Sequence, residues 1–457
     1  MTGFEVLQCH VAQAAFHDSL ERSDPPRCHP QTRRAILQKI MDWISDPDNV
    51  ELFIWIFGPA GGGKTAIAQT IAELCAATGH LAASFFFSRT VAGMKDFNQF
   101  IPTLAYQLAL HIPEIREDIS LAIENDPAVF SRALATQMQV LILQPLNAAA
   151  NDPSKKQTIE YRKRVIVLDG LDECGDGRSQ REVLDVLSAQ VRLMEVPIIF
   201  LITSRPEQQI RIAFSKPELD CQTLAIALDE NLNPDDDIQV YLEDEFWEIK
   251  MHHPSGHKLP VRWPSEDDIR QIVRKSSGQF IYAATVMKFM DCHRQPLAKR
   301  LKIILGAAAP SNNDSPFAEL DALYQQLFLA IDDLEGAMDL LTLLVLQERD
   351  SYYLTVDFSE NLLAYDQGDV LAMLSDMHAF IHVPKPDDLY DAIRIHHASL
   401  PDFLFDRSRS GRFYIDSRTG HANITTHWIK FVQRPPLPDL GASFYRFVHC
   451  RDWNIPL

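Results

Sequence analysis

An α/β core on a parallel sheet, followed by a largely helical second half, is the fold that three features of this sequence predict. Short apolar runs of strand length alternate with helical stretches over the first 230 of its 457 residues. A glycine-rich segment follows one of these runs and opens a helix. Beyond about residue 230 the strand-like runs thin out and helical periodicity takes over.

The elements follow in order. Phe4, Leu7, Val11, Ala14 and Ala15 have helical spacing and predict a short amphipathic helix packed on the body, because residues 1–27 are too few for an independent domain. Residues 33–45 predict a second amphipathic helix, stopped at Asp46-Pro47. The apolar runs Glu51–Phe57, Leu81–Phe87, Arg164–Leu168 and Ile198–Ile202 predict buried strands, with Thr223–Leu228 a fifth candidate. Ala66–Ala77 reads as a helix, and Phe97–Leu146 as helices broken near Pro113 and Pro127. Asn151–Lys163 reads as a polar surface loop. Asn231–Asp237 reads as a turn leading into an acidic helix start, favoured by the helix dipole. Residues 308–316, AAPSNNDSP, are the best linker, and Ala379–Val383 and Arg394–His396 are short strand candidates beyond it.

Composition narrows the function classes. The chain is 46% hydrophobic, which excludes wholesale disorder. It carries 43 basic and 62 acidic residues, net −19, so neither nucleic acid nor an anionic membrane is an expected partner. The seven cysteines form no CxxC pair, and the histidines show no HExxH spacing, which argues against a zinc ribbon, a disulfide framework or a zinc hydrolase. No secretion signal or membrane-length apolar stretch is visible, so a cytoplasmic location is expected. The tryptophans Trp43, Trp55, Trp247 and Trp263 read as packing residues. The basic stretch around Lys155, Lys156 and Arg162 to Arg164, and Arg407, Arg409 and Arg412, read as solvated, or for the second group as partners for a neighbouring protomer.

The most specific motif is Gly58-Pro59-Ala60-Gly61-Gly62-Gly63-Lys64-Thr65, with Ala66 continuing into the helix. It matches GxxxxGK[ST] between a strand and a helix, the arrangement that wraps a polyphosphate in backbone amides. Lys64 is then the contact to the β- and γ-phosphates and Thr65 a Mg²⁺ ligand. The run RVIVLD ends in Asp169, which at the C-terminal edge of a parallel sheet would hold the Mg²⁺ hydration shell. Asp172 and Glu173 lie just beyond, placed to polarise an attacking water. Arg205 ends the fourth apolar run and has two readings, a γ-phosphate sensor or a surface salt bridge. Together these predict an α/β P-loop NTPase core that binds a nucleoside triphosphate with Mg²⁺, ATP against GTP being left open.

The segments GPAGGGKT, VIVLDGLDEC and FLITSRPE resemble the NACHT class of STAND nucleoside triphosphatases, of nephrocystin N-terminal type. CHPQTR, LAASFFFSR, GQFIYAATV and HASLPDFLFD extend the resemblance to NACHT proteins of mushroom-forming fungi, over about residues 28–420. The resemblance implies a nucleotide-binding domain over 28–230, a helical domain over 231–308, a winged-helix-like domain over 316–420 and a tail over 421–457. It implies an NLR-like switch in fungal self/non-self recognition or defence, with slow ATP hydrolysis, homo-oligomerisation on activation, and unknown sensor and effector partners. It places His397 on the ADP β-phosphate, although Ala398 stands where a supporting Asp is usual and His396 is an adjacent alternative. It places Phe280 against the adenine, where relatives carry proline; an ordinary helix-core Phe is the competing reading. Effector and repeat domains usual in the class are not found in these 457 residues, so a scaffold that binds nucleotide without turnover, or a shortened member needing a partner, stands as the alternative.

Overall fold

Runs rich in Ile, Val and Phe can be buried on both sides only within a sheet covered on both faces, and that is where the computed structural model puts them. It describes residues 2–22, 25–89, 97–156, 163–228, 234–291, 296–306, 317–346, 354–384 and 392–433. The expected linker, residues 231–233 of the acidic turn, Lys156's side chain, Arg162 and the tail beyond 433 lie outside the described residues. The chain divides into two units, residues 1–287 and 288–457.

In the first unit, strands β1 (Phe53–Phe57), β2 (Leu81–Phe86), β3 (Arg164–Asp169), β4 (Ile198–Ser204) and β5 (Thr223–Ala227) form one parallel sheet in the order β2-β3-β4-β1-β5. Every residue of β2, β3 and β4 is buried. The five strands fall on the five apolar runs, with ends differing by only a residue or two. Register aligns Phe57 with Ser204 and Ala227, and Phe86 with Asp169. One edge of the sheet therefore carries Gly58, Gly170 and Arg205 together. Strand β4 separates β3 from β1, so the Asp169 strand is not the direct neighbour of the glycine-loop strand.

The helices pack on this sheet. Helix α1 (Gly3–Gln8) opens with a capping box between Thr2 and Glu5. The single helix expected through Ala15 stops at Cys9. His10 turns aside to stack on Phe130 at 3.8 Å, and the Ala12 amide is taken by the Thr103 hydroxyl at 2.9 Å. Phe4, Leu7, Ala14 and Ala15 still reach the core. Helices α2 (Arg34–Ser45) and α3 (Lys64–Thr78) follow as predicted, α3 beginning two residues earlier than its composition suggested. The Pro153–Lys156 turn of helix replaces part of the expected loop at 151–163; Lys155 there pairs with Asp118 at 2.7 Å.

The exposed edge of β2 is closed by side chains of helix α4 (Phe100–His111). Gln107 accepts from the Ser84 amide at 2.9 Å and donates to the Ser84 carbonyl at 2.8 Å. One turn on, His111 Nδ1 lies 2.9 Å from the Ala82 carbonyl. Two side chains thus satisfy main-chain groups that would otherwise face a new strand.

After the sheet come helices α5 (Pro234–His252), α6 (Glu266–Ser276) and α7 (Phe280–Met290). Asp235, Asp236 and Asp237 occupy the first turn of α5, where the dipole favours them. Its buried stripe is Ile238, Leu242, Phe246 and Ile249. Trp247 falls off that stripe and is 65% exposed, contrary to its expected packing role.

The second unit is helical, with a short antiparallel ribbon of β6 (Ile381–His382) and β7 (Arg394–Ile395), where strand candidates were read. Tyr324, Phe328, Phe380, Phe403 and Phe413 form its aromatic core. Arg409 is not a solvated charge: it grips the buried Asp321 through two bonds of 2.8 and 3.0 Å. The architecture is an α/β P-loop NTPase core followed by a helical region. Among the described residues no helix is long and apolar enough to cross a membrane.

Replacing Gln107 by Leu strands a buried amide and carbonyl of β2. We expect a loss of about 1–3 kcal/mol of stability by urea unfolding; a variant as stable as wild type would show that water or another group closes this edge.

Candidate functional site

The site starts from a turn that only glycine can make. Between β1 and α3 the backbone takes positive φ at Gly61 (76°) and Gly63 (90°). A Cβ on Gly61 would stand 2.1 Å from Ile281 Cγ2, so space as well as conformation requires glycine. No side chain caps the first turn of α3, whereas Asp176 caps the helix Gly177–Gln190. The first amides of α3 therefore fit an anionic ligand. Lys64 arches back over the loop and donates to the carbonyls of Gly58 (2.9 Å) and Pro59 (2.8 Å). Burial lowers its pKa, while Asp172, Asp169 and Glu173 oppose that shift.

Asp169 ends β3 almost fully buried. Its carboxylate accepts from the Thr203 hydroxyl at 2.5 Å, and the Thr65 hydroxyl lies near enough to help lower its pKa. Desolvation pushes its pKa up, and the two hydroxyls, Arg22 and Lys64 pull it down. The Arg22 guanidinium lies 3.6 Å over the ring of Phe86, the residue in register with Asp169, and donates to Gln69 of α3. Although its strand is one removed from β1, Asp169 still meets Thr65. Two hard oxygen donors, one anionic, converge there, and they fit Mg²⁺.

The next turn depends on a second glycine. Gly170 has φ of 72°, and the Phe87 carbonyl would be 3.2 Å from a Cβ there. This lets the chain fold into the short helical turn Leu171–Glu173. Asp172 is buried and committed: its carboxylate accepts from the Arg205 amide at 2.8 Å and pairs with Arg205 Nε at 3.2 Å. Its carbonyl accepts from Arg89 Nη2 at 2.7 Å and from Gln180 at 3.0 Å. Arg205 thus does not form a surface ion pair; it braces a buried carboxylate. Glu173 is half-buried at the cleft, its Oε2 accepting from the Arg89 amide at 3.1 Å. Lost hydration, then repulsion from Asp172, push the Glu173 carboxyl up to about 7. Of the two candidate bases, Asp172 is the more deeply buried and is ion-paired to Arg205, while Glu173 is the more exposed.

The helical segment beyond the sheet touches the same loop. The Ile281 amide donates to the Gly61 carbonyl at 3.3 Å, and Arg33 donates to the Gly62 carbonyl at 3.2 Å. Arg33 also takes Asp237 of α5 through its own amide at 3.1 Å. The Phe280 ring lies beside the loop between the Arg33 guanidinium (5.1 Å) and the Tyr241 ring (6.2 Å). His397 lies in the second unit. Its Nδ1 accepts from the Ser399 amide at 3.0 Å and lies 2.8 Å from the Ser399 hydroxyl, which in turn meets Tyr324 OH. The support expected from an Asp at 398 comes from Ser399, and in the neutral ring it leaves the proton on Nε2.

Arg89, Thr203, Arg33 and Arg22 were not singled out from the sequence. Thr203 and Arg89 were readable in principle, since each stands at or just past the end of an apolar run that closes on the cleft. Arg33 and Arg22 arrive through tertiary packing, with no local signal.

The raised Glu173 pKa has a stability consequence. Between about pH 4.5 and 7 the folded protein holds a proton that the unfolded chain releases, so this group's contribution falls as pH rises through that window. Glu173→Gln removes the penalty. Its melting temperature should match wild type near pH 4 and exceed it above pH 7; parallel curves across that range would refute the perturbed carboxyl.

No curated protein matches the chain. The chain is similar to the crystal structure of Cdc6p from Pyrobaculum aerophilum, at 14% identity and a TM-score of 0.37, over 91% of this chain and 99% of that one. It is also similar to the Orc1 protein of Aeropyrum pernix, solved in complex with DNA, at 12% identity and a TM-score of 0.33, over 81% of this chain and 90% of that one. Residues 31–205, which hold the glycine loop, Asp169, the Asp172-Glu173 pair and Arg205, match the family described as nephrocystin 3, N-terminal.

Proposed function

We propose that this chain is a nucleotide-dependent switch of the NACHT type that binds ATP or ADP with Mg²⁺ and hydrolyses ATP slowly. One observation carries the reading. The loop that would wrap the phosphates is held on its outer side by Arg33 and the Ile281 amide, so the helical segment beyond the sheet is bonded directly to the phosphate loop. A loop strained or relaxed by a triphosphate would move those bonds, which is what a switch requires.

The residues take the following parts. Gly58 to Ala66 provide amides for the phosphates, and Lys64 exchanges its loop carbonyls for phosphate oxygens. Thr65 and Asp169 hold Mg²⁺, which when bound screens charge between the phosphates. Glu173 takes a proton from the attacking water, with Asp172 and Arg205 fixing the turn that carries it. Phe280 and Arg33 flank the base. His397, with its proton on Nε2, is the β-phosphate donor of the ADP form. The division into a nucleotide domain, a helical domain and a winged-helix-like domain, the exposure of an oligomerisation surface on exchange, the cytoplasmic location and a role in fungal self/non-self signalling belong to the same proposal, supported by the resemblance and by the family match over residues 31–205.

The test is direct. Purified protein is denatured and released nucleotide identified; phosphate release is then compared between wild type and Lys64→Ala. Retained ADP or ATP with slow turnover, lost in Lys64→Ala, is the expected result. No retained nucleotide, no binding of added ATP and no turnover would leave a scaffold instead.

A further inference from the structure

We propose that Arg89 is a positioning residue for the Asp172-Glu173 turn, clamping the ends of β2, β3 and β4 together across the cleft. The proposal rests on the hydrolytic reading above and deepens it. Arg89 stands three residues past β2 and works through two groups. Its amide holds Glu173 Oε2 at 3.1 Å, and its guanidinium holds the Asp172 carbonyl at 2.7 Å. The guanidinium also lies 3.6 Å from Glu207, just beyond β4.

The Asp172 residue is therefore held from both sides, with Arg205 on its carboxylate and Arg89 on its carbonyl. A short turn anchored this way has little freedom, and the carboxylate of the next residue inherits the fixed geometry. The Arg89 amide orients the Glu173 carboxylate, and the nearby Arg89 guanidinium, engaged on the Asp172 carbonyl, adds a positive field that opposes the rise in the carboxyl's pKa. The arginine side chain thus positions Glu173 through the backbone of its neighbour and also reaches it by its charge. Removing it frees the turn while leaving the phosphate loop untouched.

The experiment compares full-length wild type, Arg89→Ala, Arg89→Lys, Glu173→Gln and the Arg89→Ala/Glu173→Gln pair, using ATP hydrolysis and binding of a fluorescent ADP analogue. Arg89→Ala should lower kcat about 10- to 100-fold. Its ADP affinity should stay within about twofold, with a melting temperature shift under about 2 °C. Arg89→Lys should recover part of kcat. In the Glu173→Gln background, Arg89→Ala should add little, because both act on one step. Equal kcat for Arg89→Ala and an active wild type would overturn the assignment alone, as would a loss of affinity that parallels the loss of kcat. An inactive wild type would instead sink the hydrolytic reading, and this assignment with it.

Discussion

A carboxylate buried as deeply as Asp169 must be compensated, and that requirement organises the whole cleft. Its partners come from three places: Thr65 at the start of α3, Thr203 at the end of β4, and the cationic field of Lys64 and Arg22. The Thr203 hydroxyl also accepts from the Gly170 amide at 3.1 Å, so the same oxygen fixes the start of the following turn. The sheet order places β4 between the two motif-bearing strands, which makes Thr203 the bridge between them. Isolated burial of Asp169 would be costly; shared burial ties loop, carboxylate and turn into one unit.

Much of the fold was legible because its signals are local. A parallel strand covered on both faces must be apolar throughout, and the runs around Phe53, Phe85, Val167 and Phe200 say so without help. The glycine loop was legible for a different reason: Gly61 and Gly63 answer a conformational demand that few sequences meet by chance. Strand order was not legible, because apolar runs do not encode their neighbours. The pairing of Arg205 with Asp172 was hidden for the same reason. Both residues were found, yet their bond joins positions 33 apart, and it makes Asp172 a brace for the turn as well. The N-terminal helix was read too long because periodicity cannot register competition from Thr103 and Phe130 for the chain at residues 10–12.

Arg33 ties the glycine loop to the helical segment beyond the sheet. It adopts a left-handed backbone conformation, donates to the loop at Gly62 and binds Asp237 at the head of α5. Its contacts lie close together, so loop and helix are packed as one unit. Close-packed interiors pass displacements on rather than dissipating them.

The closure of β2 by Gln107 and His111 bears on how copies of this protein could associate. A bare outer strand is an open template, and proteins that stack through such templates form ladders with no natural end. Here the Ser84 amide and carbonyl and the Ala82 carbonyl are already spoken for. Growth by strand addition is blocked on that flank, and side-chain surfaces are left to set the geometry and the number of copies in any complex.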